Sequence, residues 1–508
     1  MNDADVVIVG AGGSGLATAA RCVELGLSVV VLEKQSQIGG TTGIAVGSFT
    51  ANQTRHQNRA GVEDSLDDHA EDAGKFAKPE IESRNNAELR RYFLSHTAAT
   101  LDWLIGMGLA FHGPSPEPPN RVPRMHNVVP NAKAYIAALQ ARILRGGGRI
   151  VCNAAVAELL REGERVSGVV AIVDGQRMTF STDVGVVLAA GDYANSSETI
   201  ARFKGERFSA VEGINPYATG DGHRLAEQAG ARLINMDVTY GPELRLVAPP
   251  SGRNGFTQLL PASGFAARIA GRLLPFVPKS IVNAFIKRLL VTWQHPEDKL
   301  FDQGAILINT NGVRFCDECV WPDRELAVAQ QPDKSAFILL DRRLIEHFSK
   351  WPNFVSTAPK IAYAYVADYL KLRPDVAIEA SSPEELAELR HLPVDPVRDT
   401  VDSLNKQRTS SDLPELSGDR WVLLGPLKAW FTTTEGGAAI NQQFEVLDET
   451  DRPIPGLYAV GQNGLGGQIL WGHGLHIAWA ITSGRLVAQH LASRQGVTTY
   501  ATGLDHDC

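Results

Sequence analysis

The feature that most narrows what this chain can become lies within its first fifteen residues. Asp5-Val-Val-Ile-Val9 is an unbroken apolar run rich in β-branched residues, the composition of a strand buried on both faces of a parallel sheet. It leads directly into Gly10, Gly12 and Gly15 in the spacing G-x-G-x-x-G, with Gly13 and Ser14 inside the motif. Leu16 to Leu25 then carries a helical pattern that Gly26 ends, and Ser28 to Leu32 reads as a second strand closed by Glu33. Each glycine has its own task in such a unit: a tight turn, close approach of backbone to a pyrophosphate, and close helix–strand contact. Phosphate sits at the helix N-terminus, where free N–H groups and the helix dipole favour anions. The acid that closes the second strand accepts hydrogen bonds from ribose hydroxyls. The expected fold class is α/β with a Rossmann-like nucleotide-binding domain.

The rest of the composition sets limits. A chain of 508 residues exceeds one compact core, since domains run roughly 100–200 residues, so two or three packed units are expected. A net charge of −8 argues against nucleic acid as the main partner, which needs clustered Lys and Arg. Cys22, Cys152, Cys316, Cys319 and Cys508 form no disulfide framework and suit a reducing compartment. Acidic Asp3 and Asp5 precede the first apolar run and glycines follow it, unlike a secretory leader. With no apolar run of about 18 residues to span a bilayer, the expected location is cytoplasmic.

After Glu33-Lys34 the chain does not repeat the strand–helix unit. It passes into Gly39-Gly40-Thr41-Thr42-Gly43, a flexible polar loop. In this it resembles the FAD-binding domain of the fumarate reductase and 3-ketosteroid dehydrogenase family, where such a loop runs along the flavin. The resemblance continues in order along nearly the whole chain. Val186-Val-Leu-Ala-Ala190-Gly191-Asp-Tyr193-Ala-Asn195 looks like the strand and turn beside the adenosine, and Asn215 to Gly222, including Asp221, like a second glycine loop. Ile306 to Glu318, through Gly312, Arg314 and Phe315, is similar to the start of the catalytic segment, and Pro383 to Asn405 to a helical stretch of the cap. Glu435-Gly436-Gly437, Pro453 to Gly461-Gln462, and Gly466-Gly467 resemble the C-terminal return.

What the resemblance implies is an FAD-binding domain of residues 1–236 and 426–508, with an α+β cap, 237–425, inserted between them and the active site in the cleft. The cofactor expected is FAD, held non-covalently, because the histidine to which respiratory relatives tie their flavin has no counterpart after the first loop. Its contacts are expected from Gly10, Gly12, Gly13, Ser14, Gly15, Glu33, Lys34, Gly39, Gly40, Thr41, Thr42, Ala190, Gly191, Asn195, Asp221, Gly461, Gln462 and Leu475. No second dinucleotide fingerprint occurs, so electrons pass to or from a separate acceptor, a quinone or an electron carrier.

Flavins of this family move a hydride between N5 and a carbon of an activated carbon–carbon bond. The protein supplies a polariser, an acid or base, and a dry cleft. Fumarate reductases clamp two carboxylates with arginines and histidines. Here those positions fall on Pro322, Thr433 and about Trp471, with no histidine in Asp237 to Leu244, so fumarate or succinate is not expected. The replacements favour an apolar ketone, dehydrogenated at its α,β bond. An ene-reductase acting on another conjugated acid or enone is the alternative, and a flavin-binding protein without turnover the third reading. The tyrosines of the ketosteroid enzymes are also absent, at Pro322 and near Leu470, although Gly472 and Gly474 keep backbone donors available.

The base must then come from elsewhere. Tyr240 opens the cap. Arg124 and His126 lie where relatives carry a flavin-adjacent pair, and His473 and His476 start a helix expected to aim its N-terminus at the flavin. Tyr193, in the adenosine-side turn, is expected to be structural. Cys316-Asp-Glu-Cys319 has redox-motif spacing without a redox-motif context, and no metal site is expected. Phe265 to Val291 mixes apolar residues with Arg268, Arg272, Lys279, Lys287 and Arg288. That composition fits peripheral contact with a membrane surface, packing on the cap or a dimer contact.

Overall fold

The computed structural model describes residues 3–248, 287–358, 362–409 and 413–495, apart from residues 289 and 293. The apolar, basic stretch expected over 265–291 therefore lies almost wholly outside the described residues.

The opening run forms strand β1, Val6–Val9, followed by helix α1, Gly13–Glu24, and strand β2, Val29–Leu32. β1 and β2 pair in parallel, Val6 opposite Val29, and the strand Gly185–Leu188 lies parallel on the other side of β1. All twelve residues of these three strands are buried, which explains why each reads as a continuous apolar run rather than an alternating one. The sheet extends in parallel through Arg149–Val151 beyond β2 and through Pro453–Ala459 beyond Gly185–Leu188, with Glu445–Leu447 antiparallel at the edge. A strand from the far end of the chain is thus built into the first sheet.

A second sheet is organised around Trp421–Phe431. This strand pairs with Ala336–Leu340, Glu243–Leu246, Ala377–Ala380 and, in parallel, Glu212–Gly213. The strand runs through Gly425-Pro426, a dipeptide that ordinarily interrupts a ladder. A register shift between Ala336 and Ile338 absorbs it. The junction expected near residue 426 thus falls inside a strand, and Glu212–Gly213, ahead of residue 236, touches the same sheet. Two apolar cores result. One draws on residues from Val6 to Ala231 and from Ala438 to Ala492, and the other on residues from Tyr193 to Phe431.

Where the chain passes between the cores it pairs with itself. Leu233–Ile234 is antiparallel to Gly437–Ala438, and Thr239–Tyr240 to Thr433–Thr434, with Tyr240 opposite Thr433. Among the described residues no helix is long and apolar enough to cross a membrane.

Candidate active site

The glycines of the first turn separate into two physical roles. A Cβ on Gly15 would sit 2.0 Å from the Gly10 carbonyl oxygen, so this position is closed to any side chain. A Cβ on Gly12 would meet nothing within 4 Å. Gly12 is also the N-cap of α1 and provides no side-chain cap, leaving the helix N-terminus facing open space. That is the cradle a pyrophosphate fits. The stretch expected as a flexible loop is instead a short helix, Gly40–Ile44, and it packs over this turn, since a Cβ on Gly13 would lie 2.5 Å from Thr42 Oγ1 and one on Gly40 would lie 3.2 Å from Gly12 Cα. Glu33 is buried at the end of β2, where its carboxylate accepts from the Ala11 N–H at 2.9 Å and the Gln35 N–H at 2.9 Å.

The other expected nucleotide contacts converge on the same place. Lys34 Nζ donates to Asp221 Oδ2 at 2.6 Å and to Thr219 Oγ1 at 2.6 Å, and Asn215 Nδ2 donates to Thr41 Oγ1 at 2.9 Å. The Ala190 N–H donates to Asn463 Oδ1, whose amide nitrogen returns to the Gly191 carbonyl. Gly461 lies against Ser14, and Gln462 Nε2 donates to Thr433 Oγ1 and the Thr434 carbonyl. Asn195 departs from this pattern. Its amide is used internally, accepting from the Gly213 N–H and donating to the Pro216 carbonyl, so it shapes the second loop.

The cleft is built around the start of the helix Leu475–Arg494. Its N-cap, Gly474, has φ +81°, and a Cβ there would crowd the Ser48 carbonyl carbon at 2.9 Å. No side chain caps this helix, so the positive end of its dipole is exposed beside His473. Glu117 grips His473 twice: Oε1 accepts from the backbone N–H at 2.8 Å and pairs with Nδ1 at 2.5 Å. Nε2 is left for the cleft. Burial works against the imidazolium, but the hydrogen bond and charge of Glu117, aided by Glu243, outweigh it and hold the ring above the usual histidine range. About half of the His473 side chain, 53%, is exposed, while Glu117 behind it is buried.

A second histidine–carboxylate pair lies one turn on. His476 Nε2 meets Glu435 Oε1 at 2.8 Å, and Glu435, fully buried, also accepts from the Leu470 N–H at 3.1 Å. Leu470 to His476 is thus tied down at Leu470, His473 and His476. Between them, the Trp471 ring lies 5.7 Å from that of Tyr240. Burial, with Glu243 adding to it, pushes the Tyr240 phenol well above its usual range, so it is a neutral donor rather than a tyrosinate. Thr433 donates to Asp192 Oδ2 at 3.0 Å, and burial pushes the Asp192 carboxyl up.

These features coincide with what sequence comparison finds. A family model described as FAD binding domain matches residues 5–253 and 262–468. The chain belongs to the FAD binding domain family. It is an FAD-dependent oxidoreductase. NADH:fumarate oxidoreductase of Klebsiella pneumoniae (strain 342) is 26% identical over 472 residues, covering 90% of this chain but only 44% of that relative. Vinyl phenol reductase of Lactiplantibacillus plantarum (strain ATCC BAA-793 / NCIMB 8826 / WCFS1) is 25% identical over 520 residues and matches 96% of both chains. In fold, the open conformation of a flavocytochrome c3 fumarate reductase superposes with a TM-score of 0.71 at 22% identity, over 97% of this chain and 78% of that one.

Within this FAD-binding fold, three of the residues weighed from the sequence have their polar groups engaged or buried. Arg124 is fully buried and ion-paired to Asp64 at 2.7 Å and Asp72 at 2.6 Å, so its charge is already neutralised. His126 is buried against Thr54 and His56, and burial, with His56 adding to it, lowers its pKa to about 4. Tyr193 is fully buried, with its hydroxyl donating to the Met236 carbonyl at 2.6 Å. Burial pushes the Cys316 thiol up to about 12, and Cys319 is also raised, so neither is poised as a thiolate. The cleft residues absent from the sequence reading are Glu117, Asp192, Glu243 and Arg245. Asp192 lies inside the stretch Val186 to Asn195, whereas Glu117, Glu243 and Arg245 sit in no recognisable motif. The available signals were period-two alternation in Glu243-Leu-Arg245-Leu and an acid where Asp192 follows Gly191.

Proposed function

We propose that this protein reduces a carbon–carbon double bond conjugated to a carbonyl group or an aromatic ring in a neutral substrate, with His473 delivering the proton. The Glu117–His473 pair carries this reading, since a histidine whose protonated form is favoured by a buried carboxylate, and whose Nε2 is open, is placed to deliver a proton. FAD, when bound, supplies the group that exchanges a hydride with the substrate. Gly12, Gly13 and Glu33 hold its nucleotide half, while the uncapped helix start at Gly474 favours negative charge nearby. Tyr240, kept neutral, donates a hydrogen bond to the substrate's carbonyl or phenol oxygen. Trp471 and Tyr240, their rings tilted by 50° to each other, offer an aromatic surface that suits a ring.

A neutral substrate is the reading supported by Thr433 and Trp471, which occupy the places of the dicarboxylate clamp and cannot pair with a carboxylate, Thr433 being bonded to Asp192. The relative matched end to end is named for reduction of a vinyl phenol, which fits this chemistry. Dehydrogenation of a cyclic or steroid-like ketone is the second reading. It employs the same residues in reverse with His473 deprotonated, and the Tyr240–Trp471 wall favours a ring-shaped substrate in either direction. A separate electron carrier supplies the electrons.

Anaerobic stopped-flow absorbance tests the direction. Reduced protein mixed with cyclic enones or vinyl phenols should regain its oxidised flavin band within seconds, while fumarate leaves it unchanged. If the oxidised protein is instead bleached by saturated ketones and the reduced protein ignores every enone, the reductase reading is wrong and dehydrogenation stands.

A further inference from the structure

A loop that springs from the first core reaches across to the second beside the Tyr240–Trp471 surface. Residues 75–81 leave and re-enter at nearly one point, since a Cβ on Gly74 would lie 2.7 Å from Glu82 Oε1. Its base is fixed, with Lys75 tied to buried Asp72 at 2.8 Å and Glu82 to buried Arg90 at 2.5 Å. Two of its side chains then reach in different directions. Phe76 lies against the backbone between Trp471 and His473, where a Cβ on Gly472 would meet its Cε2 at 3.3 Å. Lys78, exposed, places its Nζ 4.8 Å from the ring centroid of Trp321, in the part of the chain that builds the second core. The Trp321 indole N–H donates at 3.0 Å to the Pro242 carbonyl, two residues beyond Tyr240. Contacts therefore close a circuit from Trp471 through Tyr240, Trp321 and the loop back to Gly472. Trp321 is 49% exposed, yet its ring is held at its edge by the carbonyl and on its face by the ammonium.

We propose that Trp321 is a specificity-determining residue that completes this circuit and limits the cleft to substrates built on a single ring. This rests on the reading that the substrate's ring lies against Tyr240 and Trp471. A molecule extended beyond that surface has to push the indole aside, giving up its hydrogen bond to Pro242 and its contact with Lys78. A single-ring molecule leaves both intact. Selection is by steric exclusion and so acts on the length of the substrate and not on its charge.

Binding to the oxidised holoprotein reads this without turnover. 4-Ethylphenol and 4-(2-phenylethyl)phenol share a neutral phenol head and differ by one terminal ring. Both are titrated against the flavin absorbance of wild type, Trp321→Ala, Trp321→Phe and Lys78→Ala. Trp321→Ala should improve the Kd of the longer phenol by about tenfold or more and leave the shorter within about threefold. Lys78→Ala should shift the long-to-short ratio in the same direction by about two- to threefold, because the indole keeps its bond to Pro242. Trp321→Phe, which keeps a ring but loses the N–H, should fall between them. A ratio that stays at the wild-type value in all three variants, including by absence of binding, overturns the proposal. If Trp321→Ala fails to retain flavin, the other two variants decide, and an unchanged ratio in both is again a refutation. Failure of the reductase reading is a separate result: it shows as reduced flavin that no neutral substrate reoxidises, while the Kd ratio still reports selection by length.

Discussion

The nucleotide cradle and the substrate cleft share one protein but are specified in different ways. The cradle is made of backbone. Its decisive atoms are N–H groups and the absence of Cβ at Gly12 and Gly15, and its parts lie within about thirty residues of the N-terminus, with bracing from Lys34–Asp221 and Ala190–Asn463. The cleft is made of side chains drawn from residues 117, 192, 240, 243, 435 and 473, each held by a partner distant in sequence, such as the Glu117–His473 pair. Backbone cradles tolerate little change because sterics admit few residues. Side-chain clefts can be rebuilt by exchanging a charge, which is how one cofactor fold comes to serve many substrates.

The sharpest way to break this contrast is at Gly15. Gly15→Ala places a Cβ against the Gly10 carbonyl oxygen, and FAD affinity should fall by about a hundredfold or more. Fluorescence titration of apoprotein measures it, and unchanged affinity would mean that the turn is not sterically closed. The opposite behaviour is expected at His473. His473→Ala should keep the yellow, FAD-loaded protein yet lower kcat by about 10²–10⁴-fold, the usual range for a lost proton donor. A comparable fall in FAD content would show that the two regions are not separable.

A smaller effect separates charge tuning from mere positioning. Because Glu117 holds the imidazolium above its usual range, reduction should persist at neutral pH and decline as pH rises through the His473 pKa. Glu117→Gln should move that alkaline limb to lower pH and reduce the plateau by about tenfold. A pH–rate profile that keeps its position would leave Glu117 with only a structural role.

Much of the cradle was legible in the sequence because each of its requirements constrains residue type at fixed spacing. A buried strand, a turn without Cβ and an acid at the next strand end leave a pattern that needs no tertiary information. The cleft was less legible. Arg124 and His126 were read as flavin neighbours because they lie where relatives carry such a pair. Only the fold shows that Asp64 and Asp72 neutralise the first and that burial keeps the second uncharged. His473 was found, but its partner lies 356 positions away, so the sequence showed a titratable ring and not its direction of proton transfer. Ketone dehydrogenation headed the sequence reading because the clamp positions carry Pro322, Thr433 and Trp471, whereas the proposal of reduction rests on the Glu117–His473 pair. The strand through Gly425-Pro426 was obscured for a related reason, since its ladder tolerates the dipeptide by shifting register opposite Phe337.

The smallest expected effect concerns stability. Burial lowers both His126 and His223 to about 4, against an unfolded value of about 6.5. A depressed histidine contributes stability that is complete above the unfolded value and lost as pH falls through the window down to the folded one. The melting temperature should therefore hold at pH 7 and drop between pH 6.5 and 4, and His126→Gln should flatten that drop by a few degrees. A melting temperature independent of pH across this range would contradict the burial of both rings.

The crossing ribbon has a mechanical meaning. Tyr240 and Thr433 face each other where the two cores are stitched together, and Thr433 follows directly from the end of the central strand of the second sheet. Were one core to swing against the other, this seam would carry the strain, because Tyr240 and Thr433 are paired in it. Opening to admit a substrate would displace the phenol and the threonine as a single unit, and shutting would restore both at once. A variant selected for looser opening at this seam would therefore lose alignment there in the same step.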